Sequence, residues 1–447
     1  MARAGCQNAR VPTRVMFCGD VHLGRRPAGL PKELQEQSGL SPSELGSKVA
    51  LSRAVEEACR ARVDAFVFAG DVVERENSVF EAFGALTRAV EPLMRAGMRV
   101  FAVAGNHDVE TLPRLARSFP QFHLLGAAGR WEDVSFAGSD GPRICLRGWS
   151  FPAQQVSESP FSSAQPRAPD DVAAVLGVVH GDLDNPGSRY APIRARELEK
   201  EIAVKAWFLG HIHKPSLDPR SQRPIGYLGS ITALDRTETG AHGPWIVEVA
   251  ASGVLRIEQR PIAPLAFESV TLDASEWTDP EAFELALRGC YARTRDAFRA
   301  AANSARAVGF NVVLQGATPA LTALRARLSQ FESRRLLSTE FEGLFCFVAA
   351  IEDRMHEPVD LAARSLSSGP AGLLARRLLA LQDPASPLAA ELICRARKTI
   401  EAQSARREFL GVLAPAQETD EEIRARLVRG GWRALEQLEA TRQGALA

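Results

Sequence analysis

A chain of 447 residues is too long for one typical core, so two or three domains are expected. Lysine plus arginine equals aspartate plus glutamate at 54 each, which excludes a global field that draws in nucleic acid or an anionic membrane and leaves any polyanion contact to local patches. No apolar stretch approaches the ~18 residues needed to span a bilayer, and no signal-like apolar segment precedes Gly19. The seven cysteines are scattered without a C-x-x-C pair, as expected of free thiols in a reducing cytoplasm.

From residue 15 to about 262 the pattern alternates strand and helix. Apolar runs rich in Val, Phe and Ala at 15–18, 65–69, 100–104, 175–179 and 206–209 read as buried strands. Segment 25–47, with Pro27, Pro31 and Pro42, reads as a loop or small helical excursion beside the first run. An amphipathic helix follows, marked by Leu51, Val55 and Ala58; Val79, Phe83, Leu86, Val90 and Leu93 mark another, at spacings of three and four. Segment 152–169 is rich in Ser, Pro and Gln and reads as a surface loop. Past Gly210, strands follow in series at 225–228, 245–249 and 254–257, as hairpin-connected strands would. Around Pro264 the character shifts to helix (280–302), strand (310–314), helix (319–330) and strand (344–351). From Gly369 onward the chain is nearly all helical, broken at Asp383-Pro384 and at Pro415. The expected organisation is a layered α/β domain over 1–265, a smaller α+β domain over 266–365 and a helical region over 366–447.

Each apolar run of the first domain ends in a polar motif: Gly19-Asp20-Val21-His22, Gly70-Asp71, Gly105-Asn106-His107-Asp108, His180-Gly181 and Gly210-His211-Ile212-His213. Ligands bind at the carboxyl ends of strands in an open α/β sheet because neighbouring loops converge there, so these distant residues can meet in one cleft. Singly, Gly70-Asp71 is a turn and His180 a loop histidine. Jointly the motifs hold five of the chain's eight histidines, and they spell a two-metal site. Two divalent ions about 3.5–4 Å apart need one shared carboxylate, with nitrogen and oxygen ligands on each side. Asp71 is the natural bridge; Asp20, His22 and His213 form one shell, Asn106, His180 and His211 the other. Mixed imidazole and carboxylate ligands suit Mn²⁺, Fe²⁺ or Zn²⁺ better than Mg²⁺ or Ca²⁺, and Mn²⁺ is the first choice. Such a pair supports phosphate ester hydrolysis, since it neutralises phosphate oxygens and lowers the pKa of a bound water toward ~7. His107 is left outside both shells and is assigned to the leaving oxygen, with Asp108 orienting its ring. Asp182 and Asp184 read as loop residues, and His123, His242 and His356 as structural or surface residues.

These motifs resemble the calcineurin-like metallophosphoesterase superfamily, which carries D-x-H, G-D, G-N-H-D/E, H and G-H-x-H in this order; the likeness covers roughly residues 14–263. It implies a layered α/β/α fold, a β-sandwich flanked by helices, with the ligand roles above and His107 as the catalytic histidine. Within the superfamily, Tyr227-Leu228-Gly229-Ser230, Glu238-Thr239-Gly240 and the run from His242 through Trp245 to Val249 resemble the Mre11/SbcD type of DNA repair exonuclease, in which a strand and "GS" turn lead into an E-x-G-x-x-G hairpin. That likeness implies action on DNA ends, a capping domain, a homodimer, and a C-terminal element that binds a coiled-coil ATPase of the Rad50/SbcC type. A phosphatase or cyclic-nucleotide phosphodiesterase on the same scaffold is the alternative. One position departs from the pattern: three residues after the bridging aspartate, where such nucleases often place a histidine or another polar residue, this chain has Glu74. A negative charge beside a phosphate is unfavourable unless it turns outward.

The predicted second domain offers Arg288, Arg293, Arg295, Arg299 and Arg306 on one helical stretch, then Arg325, Arg327, Arg334 and Arg335. They form either a solvated face partnered by Asp296 and Glu332 or a surface that tracks DNA phosphates. The C-terminal helices carry Leu373, Leu374, Leu378, Leu379 and Leu381, then Leu388, Leu392 and Ile393, on a face that either packs on the cap or docks a partner helix pair.

Overall fold

The computed structural model describes residues 11–74, 79–119, 121–330, 337–404 and 418–444. The apolar runs decide the architecture. In β1 (Thr13–Cys18), Val15 and Phe17 face one way and Met16 and Cys18 the other, and all four are buried. A strand buried on both faces needs a covering layer on each side. β1 pairs in parallel with β2 (Ala65–Phe68), β2 with β3 (Arg99–Ala102), and β3 with the short β4 (Phe122–Leu124). The chain then builds a second sheet from β5 (Glu132–Ala137), β6 (Arg143–Trp149), β7 (Val175–His180), β8 (Val204–Gly210) and β9 (Ile225–Tyr227), parallel from β6 to β9 with β5 antiparallel at the edge. It returns through the hairpin of β10 (Trp245–Val249) and β11 (Leu255–Gln259), which adds to the free edge of β1 with Met16 opposite Ile246. The first sheet thus has the order β11-β10-β1-β2-β3-β4.

The inner faces of the two sheets meet through Val15, Phe17, Val67 and Phe101 on one side and Leu146, Leu176, Val178 and Phe208 on the other; Phe17 stacks on Phe208 with ring centroids 4.0 Å apart. The outer face of the first sheet, with Met16, Phe66 and Val100, is covered by helices Ser47–Ala61, Val79–Arg95 and Leu112–Arg117 through Leu51, Val55, Leu86, Val90 and Leu115. On the outer face of the second sheet, Trp207 and Leu209 pack against Leu198 of helix Ala195–Lys200. The result is the predicted β-sandwich flanked by helices. The motif-bearing strands, though, are divided between two sheets, β1 to β3 in one and β7 and β8 in the other. Among the strands missed in the sequence, β5 has a plain cause: it buries only Phe136 of its six residues and shows too little alternation to register. Segment 25–47 forms helix Leu34–Ser38 and a 3₁₀ turn Pro42–Leu45, pinned by Leu34, Leu40 and Leu45 in a cluster with Leu265, Phe267 and Phe347.

A four-stranded sheet of order β12-β13-β15-β14 comes from β12 (Leu265–Asp273), β13 (Ala307–Ala317), β14 (Thr339–Phe341) and β15 (Leu344–His356). Helices Ala282–Ala300 and Leu321–Gln330 lie between its strands in the chain. The C-terminal helices Leu361–Ser365, Pro370–Gln382, Pro387–Ser404 and Asp420–Gly444 bury Leu378 against Leu435, and Leu381 and Ile393 against Ile423, so much of the predicted apolar face is used within the helical region; Leu373 and Leu388 stay exposed. The break at Asp383-Pro384 separates two of these helices, and Pro415 lies outside the described residues. The described residues fall into two compact units that alternate along the chain, one drawn from Met1–Glu268, Tyr291–Phe310 and Arg334–Ala349, the other from Ser269–Cys290, Asn311–Ser333 and Ala350–Ala447. Among the described residues no helix is long and apolar enough to cross a membrane, and all six cysteines are free thiols.

Candidate metal centre

Because β1, β2 and β3 run parallel, as do β7 and β8, the polar motifs of each sheet emerge at one strand end. Sharp turns there throw the side chains inward. His22 and Asp71 both have φ of 48° and His211 has φ of 104°, conformations that non-glycine residues adopt at a cost of ~1–3 kcal/mol and keep where the surroundings over-determine them. Asp71 is held from both sides: its carbonyl accepts from the Val21 and His22 amides, and its Oδ1 accepts from the His107 amide at 2.9 Å. At Gly105 a Cβ would lie 2.2 Å from Asp71 Oδ1, so the glycine of that motif is there to let the carboxylate approach.

The structure brings Asp20, His22 and His213 into one group, Asp71, His180 and His211 into a second, and His22, Asp71 and His107 into a third that overlaps both, the ligand atoms of each group lying within 4.8 Å of one another. Asp20, His22, Asp71 and His180 are almost fully buried. His180 Nδ1 donates to the Ala69 carbonyl at 3.0 Å, which leaves Nε2 as the atom facing Asn106 Oδ1 at 3.1 Å and Asp71 Oδ2 at 3.4 Å. An unprotonated nitrogen and two acceptor oxygens converging in this way require a cation between them, a proton or a metal ion. The other group has the same logic. His22 Nδ1 donates to Glu74 Oε2 at 3.0 Å and His213 Nδ1 to Glu238 Oε1 at 2.7 Å, while the two Nε2 atoms face each other at 3.0 Å. Carboxylates behind imidazoles, with the far nitrogens turned to a common point, form the arrangement that orients metal-binding histidines. The donor set therefore fits a pair of divalent ions sharing Asp71.

The electrostatics follow the same contacts. Burial pushes the Asp71 carboxyl up, but the imidazoles of His180, His22 and His107 together outweigh it and hold it well below the usual carboxylate range. Burial disfavours a charged His180, yet Asp71 and Asp20 raise it to about 9 when no metal competes. His107 is raised chiefly by its hydrogen bond to Glu74.

Glu74 corrects two expectations at once. Its carboxylate turns into the site and is not a free charge there: Oε1 accepts from His107 Nδ1 at 2.8 Å while Oε2 takes His22. Asp108, predicted to orient His107, lies elsewhere. It is fully buried, Oδ1 accepting from the Gly105 amide at 2.8 Å and Oδ2 from the Val72 amide at 2.6 Å, so it ties the loop after β3 to the loop after β2. Burial and then the Asp71 charge push it up to about 7. Sequence reasoning also missed Glu238, whose only signal was its place in the Glu238-Thr239-Gly240 segment, and Asp182, read as a loop residue, whose Oδ1 lies 3.5 Å from His211 Nε2. His242 is buried and bonds Ser230 and the Glu238 carbonyl, a structural role as expected.

Of the arginines proposed to track DNA, Arg295 pairs with Asp296 and Glu342 and is mostly buried, and Arg299 pairs with Glu342; Arg288 and Arg293 are exposed. Arg306 pairs with Glu44, Arg325 with Asp353 and Glu436, and Arg327 with Glu284, whereas Arg334, Arg335 and Glu332 lie outside the described residues.

Residues 13–215 match the family model for calcineurin-like phosphoesterases. The chain is similar to an uncharacterized metallophosphoesterase of Bacillus subtilis, YhaO, with 26% identity over 313 residues that cover 69% of this chain and 74% of that protein. It is also similar to the DNA double-strand break repair protein Mre11 of Methanopyrus kandleri, with 28% identity over 271 residues, 55% of this chain and 56% of the relative, so the likeness spans about half of that protein's length. Among solved structures, a dimetal phosphatase from Danio rerio matches 56% of this chain and 99% of its own at 15% identity, with a TM-score of 0.33.

Proposed function

We propose that this chain, which carries a calcineurin-like metallophosphoesterase domain, hydrolyses phosphodiester bonds at DNA ends, with Mn²⁺ as the metal. The observation that carries the hydrolytic reading is the sharing of Asp71 between the His180/His211 group and the His22/His107 group, the latter joined through His22 to Asp20 and His213. Asp20, His22 and His213 would hold one ion, Asn106, His180 and His211 the other, and Asp71 both. Bound there, the ions would neutralise phosphate oxygens and supply a water acidic enough to attack near neutral pH. The chain's own residues complete the step. His107 Nδ1 is engaged by Glu74, so Nε2 is the atom left for substrate; the Glu74 hydrogen bond favours the protonated ring, which in that form gives its Nε2 proton to the oxygen that departs as the new P–O bond forms and the old one breaks. Buried Asp108 acts by fixing the loop that carries His107.

Similarity to the Methanopyrus Mre11 protein supports DNA as substrate, and the exposed Arg288 and Arg293, with Arg299 beside Glu342, supply charge for phosphate contacts; Arg295 would have to leave its acidic partners. On the same resemblance we assign residues 266–365 to a cap, 366–447 to docking a Rad50/SbcC-type coiled-coil ATPase, and a homodimer as the working form. The free thiols suit a cytoplasmic site of action. Purified protein with Mn²⁺, given labelled single- and double-stranded DNA beside bis-p-nitrophenyl phosphate, tests the substrate. Cleavage of the small ester alone would assign the chain to a phosphatase or cyclic-nucleotide phosphodiesterase. For the partner, retention of the ATPase in a pull-down after removal of 366–447 would sink the docking role.

A further inference from the structure

In the second compact unit, the ends of β13 and β15 and the helix Asp420–Gly444 line a cavity of about 290 Å³. Its wall carries Arg325, Arg354, Arg429 and Arg433 together with His356 and Trp432. The acids in that wall are already engaged: Arg325 takes Asp353 at 2.7 Å and Glu436 at 3.3 Å, and Arg354 forks onto the neighbouring Glu352 at 2.8 and 2.7 Å. Arg429 and Arg433, one helical turn apart, make no salt bridge among the described residues. Between them in sequence stands Trp432, whose indole lies parallel to the His356 imidazole, 6° between planes and 3.6 Å between centroids. His356 Nδ1 donates to the Glu357 carbonyl at 2.9 Å, which fixes that ring.

A rigid aromatic pair beside two guanidinium groups, whose charge reaches Glu352 without a salt bridge among the described residues, matches a ligand with a planar ring at one end and an anion at the other. Stacking platforms bind bases through their π faces, and arginine forks bind phosphate. A carboxylate peptide would use the arginines but leave the platform idle. We propose that this cavity is a nucleotide-binding site in which a base stacks on the His356–Trp432 pair and its phosphate is held by Arg429 and Arg433. A free nucleotide and one nucleotide of a single strand share this chemistry.

Calorimetric titration of the full chain in EDTA tests it, with deoxyadenosine monophosphate, deoxyadenosine, inorganic phosphate and a short single-stranded oligo(dA) as probes. The monophosphate binds, and the nucleoside or phosphate alone binds about 10-fold or more weakly. Trp432→Ala weakens binding about 5- to 150-fold, the loss of one base–aromatic stack. Arg433→Glu, at an exposed position, weakens it about 10-fold or more and leaves the far-ultraviolet circular dichroism unchanged. If Trp432→Ala fails to fold, the double variant Arg429→Glu with Arg433→Glu replaces it. Oligo(dA) binding tighter and more salt-sensitive than the monophosphate assigns the site to a strand, and equal affinities assign it to a free nucleotide. No binding of either nucleotide probe at millimolar concentration, or variants that bind as the wild type does, overturns the proposal.

Discussion

Glu74→Gln separates the two services one carboxylate performs. Each oxygen serves one imidazole, Oε2 at 3.0 Å from His22 Nδ1 and Oε1 at 2.8 Å from His107 Nδ1. Glutamine keeps the length and one acceptor but turns the other into a donor, so one ring loses its partner and must flip or change tautomer. Losing such an orienting carboxylate costs about 10- to 100-fold, or ~1.4–2.7 kcal/mol, in metal affinity or in turnover. The assay is hydrolysis of bis-p-nitrophenyl phosphate across a Mn²⁺ titration, which reads kcat at saturation apart from the metal concentration at half-effect. The expected outcome is a fall in kcat of about 10- to 100-fold, with a rise in the metal required. In a His107→Asn background the same substitution should lower kcat little further, because the ring through which Glu74 acts on the leaving oxygen is gone, yet still weaken metal binding through His22. Full, additive losses of kcat in the double variant would refute action through His107. An unchanged Glu74→Gln enzyme would refute both roles.

Asp71→Ala should remove at least one metal by elemental analysis, since the shared carboxylate lies 3.4 Å from His180 Nε2 and 3.7 Å from His22 Nε2, whereas His107→Asn should keep the metal content and lose about 10²- to 10⁴-fold in kcat; equal metal loss in both variants would contradict the division of roles. Mn²⁺ uptake should release protons. In the metal-free protein His180 is raised from 6.5 to about 9, so its protonation stabilises the fold fully below pH 6.5 and ceases to as pH rises through 9, and a metal must displace that proton. Apparent Mn²⁺ affinity should therefore climb over that window, read by calorimetry in buffers of different ionisation enthalpy, and a flat profile would count against it. Phe17→Ala, at a fully buried site stacked on Phe208, should cost about 3–5 kcal/mol in denaturant unfolding; a loss below ~1 kcal/mol would mean that the two sheets do not pack on that contact.

What the sequence made legible and what it hid divide along a physical line. Asp20, His22, Asp71, His180, His211 and His213 sit at or just past the ends of strands whose apolar runs are unmistakable, and the turn that follows a buried strand fixes their direction locally; residue type and position sufficed to gather them. The carboxylates behind those imidazoles obey no local rule. Glu238 meets His213 across 25 residues and Glu74 meets His22 across 52, separations set by how loops from different strands fall together. Asp108 shows the converse error. Adjacency to His107 suggested a partnership, but after β3 the chain turns so that successive side chains diverge, and the Asp108 carboxylate goes instead to the buried amides of Gly105 and Val72 that would otherwise lack an acceptor. A carboxylate three residues past a metal-bridging aspartate looks hostile to a phosphate only while it is counted as a free charge. Given two imidazole donors, its charge is already spoken for, and Glu74 leaves His107 more cationic and more apt to meet an anionic leaving oxygen.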